Sequence, residues 1–307
     1  MMTSAEYGTD LTGRGDLPLP VTVLESDVDL YWDIALRMHR TVREHNARGE
    51  RTVFILPVGP VFQYRRFVRL CRQEPIELSA THCFFMDEYM RNERELIPAS
   101  DPLSFRGFIE RELVEAMPEE MGLRPEQIHF PDPEDPAATD RSLEELGGPD
   151  LCIAGVGING HVAFNEPPEP AAGAGSADAQ GAAGAPTAPV GMSPDGAPAG
   201  ISAEAFRELG TRVLRLSRET ITINSNTALR GAMDYVPRYA VTIGMRQILS
   251  SRQVCVYLNR PWQSAVVRRL LFEEAGAHFP ATLLRNHGNV ELFVNELVAQ
   301  KPDFALK

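Results

Sequence analysis

Short apolar runs alternate with segments of helical periodicity along most of this chain. Residues 52–57, TVFILP, form a short apolar run, and a loop then opens with Pro-Val-Gly at 57–59. A segment with helical periodicity, residues 27–45, precedes this run. Such an order is typical of buried parallel strands joined by helices. It predicts helices over 27–45, 62–72, 105–117, 238–249 and 263–272, and strands over 52–57, 81–86, 151–156, 212–216, 254–258 and 290–294. The fold class predicted is α/β, with a doubly wound, mainly parallel sheet and helices on both faces.

Composition suggests how the chain is divided. Residues 1–19 lack periodicity and predict a flexible arm, residues 20–298 predict a single α/β catalytic domain, and residues 299–307 a C-terminal tail. Within the domain, 25 of the 34 residues from 167 to 200 are Ala, Gly or Pro. Such a stretch cannot bury enough apolar surface to offset its ordering entropy, so residues 167–203 are interpreted as a low-complexity insertion. It is either a lid extension or a tolerated surface loop.

Charge and hydropathy exclude several classes of partner. The net charge of −12 argues against a protein that binds nucleic acid through its phosphates. The sequence shows neither a signal peptide nor an apolar run long enough for a membrane span, so we expect a cytoplasmic protein without membrane contact. The seven histidines show no ligand spacing with acids or cysteines, which predicts no metal site.

The strongest chemical signal is the Gly-rich segment 155–167, GVGINGHVAFNEP, directly after an apolar strand. Loops after parallel strands are where ligands bind in such sheets. His161 can move a proton in either direction near neutral pH, and Glu166 can orient its ring or stabilise its charged form. Gly157 and Gly160 permit backbone conformations and close approaches that other residues do not.

A second signal is the segment 84–89, FFMDEY, where two acids end an apolar strand. Because strand side chains alternate, Asp87 and Glu88 should face opposite ways and have different roles. One of them can serve as a base in a cleft. Taken alone, the pair would more often be a helix cap or a solvated acid pair.

Together these segments resemble the glucosamine-6-phosphate deaminase/isomerase family, whose hallmarks are MDEY and GxGxxGHxxFNEP. The resemblance runs from about residue 21 to 294 and includes PLSFR at 102–106, YAVTIG at 239–244 and PATLL at 280–284. Related gluconolactonases share the GHxA core with a different continuation, so FNEP at 164–167 points to the deaminase branch. The resemblance implies a Rossmann-like fold, an amino-sugar-phosphate substrate, no cofactor and a homo-oligomer.

By the same resemblance, Asp87 is the base that moves a proton between C1 and C2 of the open-chain sugar. His161 assists ring opening and is held by Glu166. Asn159 stands where the family often has Asp; it orients by hydrogen bonds but cannot ionise. These four are the predicted catalytic residues.

The phosphate-binding elements depart from the family together. Where the family has a loop resembling LPTGGTP, residues 56–62 read LPVGPVF, and Asn226 and Trp262 stand where the family supplies an arginine and a lysine. The loop offers no hydroxyl, and Pro60 removes a backbone donor. The predicted substrate-binding residues are Gly59, Glu88, Gly157, Gly160, Arg212, Arg260 and Trp262.

Three functions remain open from the sequence. The first is a deaminase/isomerase that abstracts the C2 proton of an amino-sugar phosphate. The second is a dehydratase (lyase) that uses the same proton abstraction on N-acetylglucosamine-6-phosphate or a related sugar. The third is a catalytically inactive sugar-phosphate sensor, favoured by the altered loop but not by the retained acid, histidine and glutamate.

Overall fold

A computed structural model describes residues 2–12, 16–168 and 200–302. Its strands are β1 Val21–Leu24, β2 Thr52–Leu56, β3 Thr81–Phe85, β4 Asp87–Met90, β5 Ile128–His129, β6 Leu151–Ala154, β7 Arg212–Arg215, β8 Tyr239–Thr242, β9 Gln253–Leu258 and β10 Val290–Asn295. Its α-helices are α1 Ser4–Tyr7, α2 Asp27–Arg48, α3 Gln63–Gln73, α4 Phe105–Ile109, α5 Pro136–Glu145, α6 Ala203–Arg207, α7 Arg218–Ala228, α8 Met245–Leu249, α9 Gln263–Phe272 and α10 Glu296–Ala299.

Seven strands form one parallel sheet in the order β1-β10-β9-β6-β2-β3-β5. The order places β6, β2 and β3 side by side near the centre. Because all three run in the same direction, the loops that follow them meet at one edge of the sheet. This confirms the predicted fold class and brings the two signature segments to the same edge as the altered loop.

Strand β2 shows why the sheet must be covered on both faces. All five of its residues are buried. Val53 and Ile55 belong to a core that includes side chains of α8 and α9, whereas Phe54 and Leu56 belong to a second core with α2 and α3. Since side chains alternate along a strand, a continuous apolar run can be satisfied only between two helical layers.

A second, three-stranded antiparallel sheet was not predicted. Its order is β4-β8-β7, and it corrects the predicted helix over 238–249. Residues 239–242 are a strand paired with β4 and β7, and only the last part of the predicted segment, α8, is helical. The run Tyr-Ala-Val-Thr suits a strand as well as a helix by periodicity alone, and tertiary pairing decided between them.

Some further boundaries differ from the prediction. Strands β1 and β5 and helices α5 and α7 were not predicted, and the segment 105–117 is an α-helix only to Ile109, continuing as a π-helical turn over Glu110–Val114. Residues 169–199 of the predicted insertion lie outside the described residues, as do residues 303–307 of the predicted tail. Across the described ranges, no helix combines the length and apolar character that crossing a membrane requires.

Part of the segment predicted to be a flexible arm contacts the domain. Leu11 and Leu19 are buried within the core that contains α9. The buried Arg268 of α9 donates from Nη2 to the carbonyl oxygen of Thr9 at 2.8 Å and to that of Ala299 at 2.8 Å. The predicted division at residue 19 therefore does not separate the described part of this segment from the core.

Leu11 provides a test of that packing. Replacing it by Ala should lower the free energy of unfolding by about 2–4 kcal/mol, because a side chain that is only 1% exposed leaves a cavity. Urea unfolding followed by circular dichroism measures the change. Leu297→Ala, at a position 53% exposed, is the control and should stay within about 0.5 kcal/mol of the parent. Equal effects of the two substitutions would show that Leu11 does not contribute to the core.

Candidate active site

A cavity of about 450 Å³ lies where the loops after β2, β3 and β6 meet. Asp87 and His161, from segments more than seventy residues apart, both line it. The size is in the range of pockets that bind small molecules. The sheet order thus brings together the two residues that the sequence predicted to share one substrate.

Asp87 is the first residue of β4, immediately beyond the buried end of β3. Its side chain is 7% exposed. Burial and, to a lesser extent, the adjacent Glu88 carboxylate together raise the pKa of Asp87 to about 8. The carboxyl group therefore titrates close to neutral pH, where a general base works best.

Glu88 faces away from the cavity, as the alternation of β4 predicts. Its carboxylate accepts hydrogen bonds from the Ser104 hydroxyl at 2.9 Å and from the backbone N–H groups of Tyr89, Phe105 and Arg106 at 2.8–3.0 Å. Burial raises the pKa of Glu88, while these hydrogen bonds favour its charged form. Glu88, predicted to bind substrate, instead fixes β4 to the start of α4 and so positions Asp87.

His161 is held through an amide rather than directly by the carboxylate. Asn159 Oδ1 lies 2.8 Å from His161 Nδ1, and Asn159 Nδ2 donates to Glu166 Oε2 at 2.6 Å. His161 Nδ1 and Glu166 Oε2 are themselves 3.7 Å apart. The three residues predicted to act together do meet, with Asn159 between the other two.

This arrangement defines the tautomer of the neutral ring. Because a carboxylate only accepts, the Asn159 amide must turn its NH₂ group toward Glu166 and its oxygen toward the ring. His161 Nδ1 is then the protonated nitrogen, and Nε2 carries the lone pair. Burial lowers the pKa of His161, and the Glu166 charge acts in the opposite direction. The ring is consequently a neutral base with one available nitrogen.

Two residues at the start of α7 complete the network and were missed in the sequence. Ser217 donates its backbone N–H to Glu166 Oε1 at 3.1 Å, and its hydroxyl accepts from Asn159 Nδ2 at 3.1 Å. The hydroxyl oxygen of Thr220 lies 3.1 Å from His161 Nδ1. Ser217 is also the N-cap of α7, so the segment SRET at 217–220 carried a helix-start signal; that signal marks where the helix begins but not what its first turn contacts.

The Gly-rich turn is shaped by close approaches. A Cβ on Gly157 would lie 2.0 Å from the nearest atom of the His161 ring, so only glycine lets the ring sit against the backbone. Gly160 has φ +87° and packs against Phe279. Asn165 anchors the far end of the turn, because its Nδ2 donates to the carbonyl oxygen of Ile243 at 2.9 Å.

The predicted substrate-binding residues divide into two groups. Gly59, Gly157, Arg260 and Trp262 line the cavity. Glu88, Gly160 and Arg212 are not among the described residues that line it. Arg212 lies on the small antiparallel sheet and donates to Asn165 Oδ1 at 2.7 Å, which directs its guanidinium to the signature turn instead.

Helix α7 and the start of α4 supply lining residues that were not predicted. Asn224 and Thr227 come from α7, Leu103 precedes α4, and Phe105 is its first residue. Asn224 Nδ2 donates to the hydroxyl oxygen of Tyr89 at 3.0 Å, and Tyr89 lines the cavity as well. Leu103 and Phe105 lie in the family-like segment PLSFR, whereas only the fold reveals Asn224 and Thr227.

Known proteins resemble the chain over most of its length. It is 25% identical over 272 residues to glucosamine-6-phosphate deaminase 2 of Giardia intestinalis, covering 86% of each chain. It is 22% identical over 286 residues to glucosamine-6-phosphate deaminase of Thermoanaerobacter sp. (strain X514), covering 90% of this chain and 94% of the relative. The chain is therefore similar over most of its length to proteins of the glucosamine-6-phosphate deaminase/isomerase family. No model of a protein family matches it.

Solved structures support the fold of this family. A monomeric glucosamine-6-phosphate deaminase superposes with a TM-score of 0.70 at 22% identity, over 92% of this chain and all of the other. The 6-phosphogluconolactonase of Trypanosoma brucei gives 0.58 at 16% identity, over 94% of this chain. At these identities the likeness establishes the α/β architecture that the two groups share.

The raised pKa of Asp87 predicts how stability depends on pH. The folded state holds the Asp87 proton up to about pH 8, whereas the unfolded chain releases it near its ordinary pKa of 3.8. Unfolding thus releases a proton between these values, so this residue's contribution to stability falls as pH rises. Asp87→Asn should be more stable than the parent by at least about 2 kcal/mol at pH 8.5, with the difference shrinking toward pH 4.

Urea unfolding at pH 4.5, 6.5 and 8.5 measures this dependence. Glu145→Gln, at an exposed position of α5, is the matched control and should leave the pH dependence unchanged. A constant difference between Asp87→Asn and the parent at all three pH values would contradict the raised pKa.

Proposed function

We propose that this chain is an aldose–ketose isomerase/deaminase that abstracts the C2 proton of an open-chain amino-sugar phosphate. The relatives, named glucosamine-6-phosphate deaminases, support an enzyme of the amino-sugar-phosphate deaminase/isomerase type. The observation that carries the proposal is the shared cavity, in which a buried acid with a pKa of about 8 and a neutral, oriented imidazole both face the same space.

Ring opening is the proposed task of His161. Its unprotonated Nε2 accepts the proton of the C1 hydroxyl and delivers it to the ring oxygen as the C1–O5 bond breaks. The Asn159 amide keeps Nδ1 protonated through this transfer, and Glu166 stabilises the imidazolium that forms transiently. The product of the step is the open-chain aldehyde.

Proton transfer at carbon is the proposed task of Asp87. Its carboxylate takes the C2 proton, the electron pair forms a C1=C2 bond, and the carbonyl oxygen becomes a hydroxyl by gaining a proton. Return of the proton to C1 leaves an imine at C2. Water adds there and ammonia departs, so that one water is consumed and the products are ammonia and a 2-keto sugar.

Neither alternative function gains support from the described contacts. Asp87 and His161 line one cavity, and an amide joins His161 to Glu166, an arrangement that a sensor does not require. No contact in residues 2–12, 16–168 and 200–302 points to departure of a C3 hydroxyl rather than of the C2 amine. The deaminase/isomerase chemistry is therefore the function we propose.

The first test follows exchange of the C2 proton. In D₂O, the enzyme should exchange the C2 proton of glucosamine or glucosamine-6-phosphate for deuterium, detected by proton NMR, and should release ammonia. Asp87→Asn should slow exchange by about 10² to 10⁴-fold, because an amide cannot accept the proton. Glu145→Gln is the control. Exchange at the parent rate in Asp87→Asn would exclude Asp87 as the base.

The pH profile supplies a second check on the same residue. Because Asp87 must lose its proton to act, kcat/KM should rise with pH through a midpoint near 8, the pKa to which burial raises this carboxyl group. Initial rates of ammonia release between pH 5.5 and 9.5 measure the profile. A midpoint near the ordinary aspartate pKa would show that Asp87 is not the group that controls the rate.

Asn159 should act as a positioning residue. Asn159→Leu removes both hydrogen bonds of the amide, so we expect kcat/KM to fall by about 10 to 100-fold, as for other groups that orient a functional histidine. Nitrogen-15 NMR of the His161 ring should show Nδ1 protonated in the parent and a mixture of tautomers in the variant. An unchanged tautomer with reduced activity would assign the loss to another cause.

A further inference from the structure

One arginine gives the lining of the cavity its charge. Of the described residues that line the cavity, three have a side chain that is charged or titrates near neutral pH: Asp87, His161 and Arg260. Burial and the Glu88 charge raise the pKa of Asp87 to about 8, and burial lowers the pKa of His161, so both are mainly uncharged at neutral pH. Arginine keeps its charge throughout this range. The described lining is therefore positive, which favours an anionic ligand.

The two arginines that directly follow the altered loop already have partners. Arg65 forms a salt bridge with Glu112, and Arg66 donates from Nη1 to the carbonyl oxygen of Phe62 at 3.0 Å. Neither arginine is among the described residues that line the cavity. Arg260 is exposed, and within the described part of the chain its guanidinium makes no salt bridge and donates no hydrogen bond. It can therefore bind a ligand without losing a protein partner.

The backbone of Arg260 is fixed although its side chain is not. Arg260 lies in the turn between β9 and α9, where Gln263 Oε1 accepts from the backbone N–H groups of Asn259 at 2.9 Å and of Arg260 at 2.8 Å. Gln263 Nε2 donates to the carbonyl oxygen of Val156 at 2.8 Å. Because Val156 belongs to the signature turn, Gln263 joins the backbone of Arg260 to the segment that carries His161.

The strand order separates Arg260 from Asp87 by the width of the cavity. Arg260 follows β9 and Asp87 follows β3, and β6 and β2 lie between these strands in the sheet. Three intervals between neighbouring strands amount to about 14 Å. An extended arginine side chain and the carbon chain of a hexose phosphate together span such a gap. A hexose with C2 at Asp87 is therefore long enough to extend its C6 end to Arg260.

Tyr31 links Arg260 to the altered loop. The Tyr31 ring lines the cavity and lies next to Phe62, with the ring centroids 5.5 Å apart. Burial raises the pKa of Tyr31, whereas the nearby charge of Arg260 acts in the opposite direction. Within the described ranges, the backbone N–H groups of Val58 and Gly59 donate no hydrogen bond. The loop therefore offers neutral donors close to one cation, although it has no hydroxyl of its own.

We propose that Arg260 binds the phosphate group of the substrate and sets the preference for a phosphorylated sugar. This assignment rests on the proposed function, which places C1 and C2 of an amino-sugar phosphate at His161 and Asp87. The guanidinium donates two parallel hydrogen bonds to two phosphate oxygens, and the backbone of the altered loop adds neutral donors. Because the charge of the phosphate is met from the turn between β9 and α9, the altered loop needs no hydroxyl.

Arg260→Gln removes the charge at an exposed position, where folding should be unaffected. We expect KM for glucosamine-6-phosphate to rise by about 10 to 100-fold, because the charge-assisted hydrogen bonds to the phosphate are lost. The value of kcat should stay within about twofold, because Arg260 does not contact the reacting carbons. Initial rates of ammonia release measure both constants. An unchanged KM, or a loss confined to kcat, would overturn the proposal.

Two further variants separate the charge of Arg260 from local structure. Arg260→Lys returns the cation without the second parallel N–H group, so it should recover most of the affinity lost in Arg260→Gln. Arg65→Gln is the matched control, because it removes a cation whose side chain is 65% exposed, and it should leave KM unchanged. Equal losses in Arg260→Lys and Arg260→Gln, or in Arg65→Gln and Arg260→Gln, would contradict recognition of the phosphate by the Arg260 charge.

Binding of an unreactive ligand separates this proposal from the proposed function. Glucitol-6-phosphate has no C1 carbonyl and cannot isomerise, and glucitol differs from it by the phosphate alone. In calorimetric titrations the phosphate ester should bind to the parent at least about tenfold more tightly than glucitol, and Arg260→Gln should lose this preference. That result without deuterium exchange at C2 of glucosamine-6-phosphate would support the role of Arg260 and overturn the function. Exchange at C2 with the same preference in the parent and in Arg260→Gln would overturn the role of Arg260 and leave the function standing.

Discussion

Parallel pairing of β6, β2 and β3 is the constraint on which the site depends. Parallel neighbours end at the same edge of a sheet, so the loops that follow them must meet there. In this chain those loops carry His161, the apolar residues 57–62 and Asp87. The buried side chains of β2 alternate between two helical layers and hold the centre of the sheet between them, and that rigid support lets short loops place chemical groups accurately.

The two groups that we propose as catalytic, Asp87 and His161, are tuned by different neighbours. Asp87 is made a weak acid chiefly by burial, with the Glu88 charge beside it, while Glu88 is stabilised by backbone N–H groups at the start of α4. His161 is kept neutral by burial and oriented by an amide. Glu88 thus holds the start of α4, while Asp87 faces the cavity and is the acid to which we assign the chemistry; the alternation of side chains along β4 separates the two.

Much of this could be predicted from residues alone. Five strands of the main sheet were predicted because each is a short apolar run, a pattern typical of a buried strand: 52–57, 81–86, 151–156, 254–258 and 290–294. The meeting of Asp87 and His161 at one site followed from the family resemblance. Glu88 and Arg212 were assigned to the substrate, but local hydrogen bonds direct them elsewhere. The strand 239–242 was taken for a helix because its partners β4 and β7 are distant in sequence. A cytoplasmic location and a homo-oligomer stay predictions.

The sequence by itself determined the α/β class, the positions of the two signature segments and the loss of hydroxyls from the loop at 56–62. These are properties of composition and local order, which a single chain displays directly. Tertiary structure alone decided that Asn159 stands between His161 and Glu166 and that Ser217 and Thr220 join them. Such contacts join residues up to about sixty positions apart, and only the packing of whole elements brings them within hydrogen-bonding distance.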